Sequence, residues 1–168
     1  SKIHALRDKY DGKVTNSQGS LVVSGSDLVF VEPGHQQATG KTKKFDSSGN
    51  QIEWKDPAYG QTFSYQFSGG NITSMTAPGG HFVDFTYTGG KVTSIDATIL
   101  LTSGVATRNV TLSYGVTGGS SDDLTTITDP DSSQHTFTYD LEHRLTGETQ
   151  GVKTQQWEYD DGDEMSLM

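Results

Sequence analysis

The stretch Asp129-Pro130-Asp131-Ser132-Ser133-Gln134-His135-Thr136-Phe137-Thr138-Tyr139-Asp140-Leu141-Glu142-His143-Arg144-Leu145-Thr146 decides how the chain folds. An Asp-Pro turn opens it, and an alternating run ending Phe137-Thr138-Tyr139 reads as a strand. A polar turn follows, and Leu145-Thr146 begins the return strand. Every other readable segment is a variant of this unit, so the repeat has to be recognised before any single element is assigned.

The same order recurs as Asp56-Pro57 with Phe63-Ser64-Tyr65, then Gly69-Gly70-Asn71-Ile72-Thr73. It returns as Pro78-Gly79-Gly80 with Phe85-Thr86-Tyr87, then Gly89-Gly90-Lys91-Val92-Thr93. From Tyr65 through Tyr87, Tyr114 and Tyr139 to Tyr159, successive tyrosines stand 22, 27, 25 and 20 residues apart. Weaker copies are Tyr10-Asp11-Gly12-Lys13-Val14 and Phe45-Asp46-Ser47-Ser48-Gly49-Asn50.

These residues resemble the tyrosine-aspartate (YD) repeats of Rhs proteins, found also in teneurins and in the cocoon subunits of toxin complexes. The resemblance rests on Tyr139, Asp140 and Arg144-Leu145-Thr146, with His143 where that family usually has glycine. Tyr10-Asp11 and Tyr159-Asp160 fit in part, and Phe45-Asp46 is a weaker copy. After Tyr65 and Tyr87 the aspartate is lost. The resemblance covers most of 45 to 165 and implies an all-β meander of hairpin repeats forming a curved sheet, arc or partial shell. Some family members cut themselves with aspartates in a carboxy-terminal core segment that this sequence lacks, so that activity does not carry over.

Composition agrees with a thin sheet body. The 168 residues suit one domain, yet only 31% are hydrophobic, 20 are glycine, and mean hydropathy is -0.56. The ordered alternation argues against disorder. No stretch approaches the roughly 18 to 20 apolar residues that span a bilayer as a helix. A formal charge of -9, from 21 acids and 12 bases, repels phosphate backbones, which argues against a nucleic-acid partner. Lys41, Lys43 and Lys44 form the one basic cluster and read as solvated turn or edge residues. The absence of cysteine removes disulfides and thiolate chemistry together.

Along the chain, Leu21-Val22-Val23 and Leu28-Val29-Phe30-Val31 read as a hairpin within an atypical segment, 16 to 44, that could cap the stack. From residue 45 the strands fall near 50–55, 61–67, 71–76, 81–87, 91–101, 105–114, 124–129, 134–139, 144–149 and 153–159, with nothing helical. Phe63, Tyr65 and Phe67 share a face, as do Phe85 with Tyr87, Phe137 with Tyr139, and Trp157 with Tyr159. The return strands place apolar residues three apart: Ile72 with Met75, Val92 with Ile95, Leu124 with Ile127. Either both faces need cover, or each strand carries a bulge.

Histidines 4, 35, 81, 135 and 143 are scattered and fit no catalytic spacing. The acid pairs Asp122-Asp123 and Asp129 with Asp131 each lie on one turn, where they do not flank a substrate. The reading is therefore non-enzymatic, with no cofactor and no metal. Acidic Asp160-Asp161-Gly162-Asp163-Glu164 has hard oxygen ligands but not helix-loop-helix calcium spacing. Trp54, Tyr59, Trp157 and Tyr159 are candidates for stacking on a glycan, against the plainer reading that the aromatics are the core. Asn71-Ile72-Thr73 and Asn109-Val110-Thr111 are formal glycosylation acceptors. The expected protein is a structural repeat scaffold, secreted or at the cell surface, whose strand edges join other repeats.

Overall fold

A computed structural model describes residues 13–16, 19–32, 40–115, 122–159 and 165–167. They belong to two compact units, Ser1–Asp84 with Thr98–Ala106, and Phe85–Ala97 with Thr107–Met168. The first unit contains β1 (Lys13–Asn16), β2 (Gly19–Ser24), β3 (Asp27–Val31), β4 (Thr42–Phe45), β5 (Gln51–Asp56), β6 (Gln61–Ser68), β7 (Asn71–Thr76) and the start of β8 (Phe82–Thr88). The second holds the rest of β8, most of β9 (Lys91–Leu101) and β10 (Gly104–Tyr114), then β11 (Leu124–Thr128), β12 (Gln134–Tyr139), β13 (Leu145–Gln150), β14 (Lys153–Tyr159) and β15 (Met165–Leu167). In each unit the strand order follows the chain order and neighbouring strands run antiparallel. The all-β meander is as the repeat implies.

Turn chemistry sets the hairpins. Gly69 and Gly70 both hold positive φ, 58° and 86°, the combination that lets a two-residue turn match the twist of its strands. Two short stretches differ from the expected absence of helix: single 3-10 turns at Pro57–Tyr59 and Pro78–Gly80. Proline fixes the φ that starts each one and has no amide proton to leave unpaired there.

In the first unit, the hairpin β2–β3 pairs Leu21 with Phe30, Val22 with Val29 and Val23 with Leu28. Its β3 supplies the buried apolar residues Leu28, Val29 and Val31. The lysine cluster departs from its expected role. Residues 42–45 form β4, paired with β3 on one side and β5 on the other, so this is an interior strand. Its apolar content is too low to show in a hydrophobic pattern, and backbone pairing on both sides holds it. The lysines are paired: Lys44 Nζ with Asp27 at 2.8 Å, Lys43 with Glu32 at 3.9 Å, and Lys41 with Asp56 at 3.2 Å. The hydrogen bond from Lys44 holds the Asp27 carboxyl below its ordinary range. Asp56 is buried, and its carboxylate also accepts from the Ala58 amide at the 3-10 turn.

Candidate functional site: turns, bulges and tyrosine rungs

A five-residue turn of one design recurs ahead of β5, β8, β12 and β13. The amide of the first residue donates to the carbonyl of the fifth, and the fourth donates back to the first. This holds from Asp46 to Asn50, Ala77 to His81, Asp129 to Ser133 and Asp140 to Arg144. The fourth position has left-handed φ each time: Gly49 at 89°, Gly80 at 81°, Ser132 at 69° and His143 at 65°. Glycine suits that position because it has no Cβ to clash. His143 stands in the glycine position of the repeat and adopts the same conformation.

The aspartate of the motif ties this turn together. Asp46 Oδ1 accepts from the Ser48 and Asn50 amides at 2.8 and 2.9 Å, while Oδ2 accepts from Asn50 Nδ2 at 3.0 Å. Asp140 repeats the pattern, taking the Glu142 amide at 3.0 Å, the Arg144 amide at 2.9 Å and Arg144 Nε at 2.8 Å. Desolvation pushes both carboxyls upward, but these donors outweigh it and hold each below its ordinary value. Repeats without the aspartate close instead with two glycines.

Beyond the turn comes a bulge, which resolves the three-residue apolar spacing. Tyr65 faces Met75 and Phe67 faces Ile72, so β7 advances three residues while β6 advances two. Likewise Leu112 and Tyr114 face Ile127 and Leu124. The register also shifts between Thr138 and Tyr139, where Gly147 and Leu145 are the facing residues, and between Lys44 and Phe45. The extra residue returns both apolar side chains of the return strand opposite the aromatic strand.

The tyrosines then connect one repeat to the next. Tyr114 donates its hydroxyl to the Val92 carbonyl at 2.9 Å, Tyr139 to Leu124 at 3.0 Å, and Tyr159 to Leu145 at 2.8 Å. The acceptor is always the first aliphatic residue of an earlier return strand. Leu124 and Leu145 also face Tyr114 and Tyr139 in register. Each such residue thus packs one tyrosine and accepts from the following one. We refer to this recurring bond as a rung.

The residue before each acceptor lies near the incoming ring. Lys91 Nζ is 5.3 Å from the Tyr114 centroid, and the Arg144 guanidinium carbon is 4.7 Å from that of Tyr159. Cations over these faces add attraction to the packed ring. At the middle rung the equivalent residue is Asp123, whose Oδ2 lies 3.1 Å from His143 Nδ1. Burial first, and then the Asp123 charge, raise the Tyr139 pKa and favour its neutral, donating form. Asp122 instead pairs with Lys91, whose hydrogen bond lowers its pKa.

The other sequence candidates separate. Trp54 packs on Phe63, with centroids 5.6 Å apart. Trp157 and Tyr159 are half-buried, and Tyr159 forms a rung, whereas Tyr59, the last residue of its 3-10 turn, is 76% exposed. Tyr87 is half-buried in β8. Asp129 takes the Ser133 hydroxyl within its turn. His81 Nδ1 accepts the Leu100 amide at 2.9 Å, and His135 pairs with Glu148. Asn109 donates to Ser94 and Asp96, while Asn71 is exposed at the start of β7. Tyr10, Asp11, Asp160, the acidic 160–164 segment, His4 and His35 lie outside the described residues. Sequence reading missed the rungs. Their signal was an aliphatic-threonine pair opening a return strand with a tyrosine further on, 22 residues after Val92, 15 after Leu124 and 14 after Leu145.

Among the described residues no helix is long and apolar enough to cross a membrane. Residues 120–155 match the family model described as RHS Repeat. No curated protein matches the chain.

Proposed function

We propose that this chain, whose residues 120–155 match the RHS Repeat model, is a non-enzymatic structural scaffold, secreted or displayed at a cell surface, in which repeats continue from one polypeptide segment to the next. The observation that carries this reading is how the motif residues are used. Asp46, Asp140 and Arg144 bond within their turns, and Tyr114, Tyr139 and Tyr159 bond to neighbouring strands. These groups hold strands in place, which is the work of a scaffold. Residues 1–168 serve as one repeat body, with 16 to 44 as its capping element.

Light scattering across a concentration series, with images of the same samples, tests the proposal. The expected result is mass that grows with concentration into extended or ring-like particles. A monomer at every concentration refutes association through strand edges. The glycan reading draws its support from Tyr59, the one strongly exposed ring among its four aromatics.

A further inference from the structure

We propose that His81 is an acid-released latch on the tip of the β9–β10 hairpin: the neutral ring holds the Leu100 amide beside the 77–81 turn, and protonation lets it go. The inference stands apart from the scaffold reading.

The turn that carries His81 differs from its three counterparts. In the turns that open on aspartate, the side chain of the fifth residue bonds back to that carboxylate: Asn50 Nδ2 to Asp46 at 3.0 Å, Ser133 Oγ to Asp129 at 3.3 Å, and Arg144 Nε to Asp140 at 2.8 Å. The 77–81 turn opens on Ala77, which offers no such acceptor. Its backbone closes as in the others, with the Ala77 amide donating to the His81 carbonyl at 2.7 Å. The fifth side chain is thereby free for another strand, and His81 Nδ1 accepts the Leu100 amide at 2.9 Å.

The hairpin it holds stands out in length and composition. β9 and β10 have 11 residues each, and the longest other described strand has 8. No charged residue occurs from Ala97 to Thr107, and Leu100, Leu101 and Val105 are exposed. His81 and the tip, Thr98–Ala106, belong to the first unit. A Cβ at Gly80 would stand 3.0 Å from Leu100 Cδ1, so this glycine leaves room for the leucine over the turn.

Release follows from the donor. A backbone amide only donates, so Nδ1 presents its lone pair and the neutral ring keeps its proton on Nε2. Protonation puts a hydrogen on Nδ1 facing the amide hydrogen, and an attraction becomes donor against donor. Histidine is the side chain whose charge ordinarily changes between about pH 5 and 8. The charged groups of the neighbouring strands are engaged elsewhere. Asp84 accepts from Ser74, Asp96 from Ser94 and Asn109, and Lys91 pairs with Asp122. β6, β7 and the turn carry no charge, and Tyr65 and Tyr87 are the titratable side chains of β6 and β8.

The test is nuclear magnetic resonance on the isotope-labelled full chain between pH 7.5 and 5. At neutral pH a scalar coupling between the Leu100 nitrogen and His81 Nδ1 should cross the hydrogen bond, and it should vanish in acid. Exchange protection of the Leu100 amide, corrected for intrinsic rate, should fall about fivefold over the same range, as loss of one hydrogen bond of ordinary net strength implies. His81→Asn keeps an acceptor that does not titrate, so its Leu100 protection should hold in acid. His81→Ala should lack that protection at both ends of the range. No coupling at neutral pH, a coupling that survives acid, or an Asn variant that loses protection in acid as the wild type does would each overturn the proposal.

Discussion

Replacing Tyr139 by phenylalanine removes one oxygen and leaves the ring, so it isolates the rung from the packing. The hydroxyl lies 3.0 Å from the Leu124 carbonyl in a half-buried setting. A typical intramolecular hydrogen bond contributes about 0.5–1.5 kcal/mol net, and a carbonyl that water cannot reach costs about 1–3 kcal/mol when orphaned. Because this site is only half-buried, water can reach Leu124 in the variant, and the expected loss is about 1 kcal/mol. For a chain of this size that corresponds to about 2–4 °C in Tm. Urea unfolding should show a lower midpoint at unchanged slope, since the ring still faces Leu145 and the surface exposed on unfolding is the same. The alkaline limb gives a second readout. With the folded pKa of Tyr139 raised, its contribution is full below the unfolded value of about 10 and is lost as pH rises through the folded value. The Phe variant should lose that part of the alkaline decline. A midpoint equal to wild type, or an identical alkaline limb, would refute the rung as a source of stability.

Gly49→Ala places a Cβ at φ 89° and should cost about 1–2 kcal/mol in urea unfolding. Gly147→Ala puts its Cβ 2.6 Å from Thr138 Oγ1, a branched side chain with little room to yield, and should cost about 1–3 kcal/mol. Adding Thr138→Ala to that variant should recover most of the loss. The lowered pKa of Asp140 means its stabilisation is present above the unfolded value of about 4 and lost as pH falls through the folded one. Asp140→Asn should therefore flatten the acid limb of a thermal-melt pH profile, whereas an unchanged limb would deny the carboxylate its role in the turn.

Where a turn is made by local chemistry, the sequence announces it. Gly69-Gly70, Asp129-Pro130 and Tyr139-Asp140 each specify their geometry within a few residues, so strand positions from 50 to 159 were legible. The three-residue spacing of Ile72 and Met75 was legible only as a choice between a bulge and a two-sided strand. Pairing with Tyr65 and Phe67 decides for the bulge. β4 was not legible, because Lys43 and Lys44 look solvated until Asp27 in β3 and Glu32 just after it are brought beside them. The rungs were hidden for a related reason: a backbone acceptor such as the Leu124 carbonyl exists at every residue, and only register selects which one a tyrosine meets. Arg144 on the Tyr159 face was hidden in the same way, its partner lying one repeat away.

Tyrosine rungs couple adjacent repeats within the second unit. Native-state hydrogen exchange on the wild type and Tyr139→Phe tests this coupling most directly, strand by strand. The account predicts that protection falls together in β11, which supplies the acceptor, and in β12, which carries the ring, with β13 following through its pairing to β12. A loss confined to β12, with β11 and β13 unchanged, would contradict it.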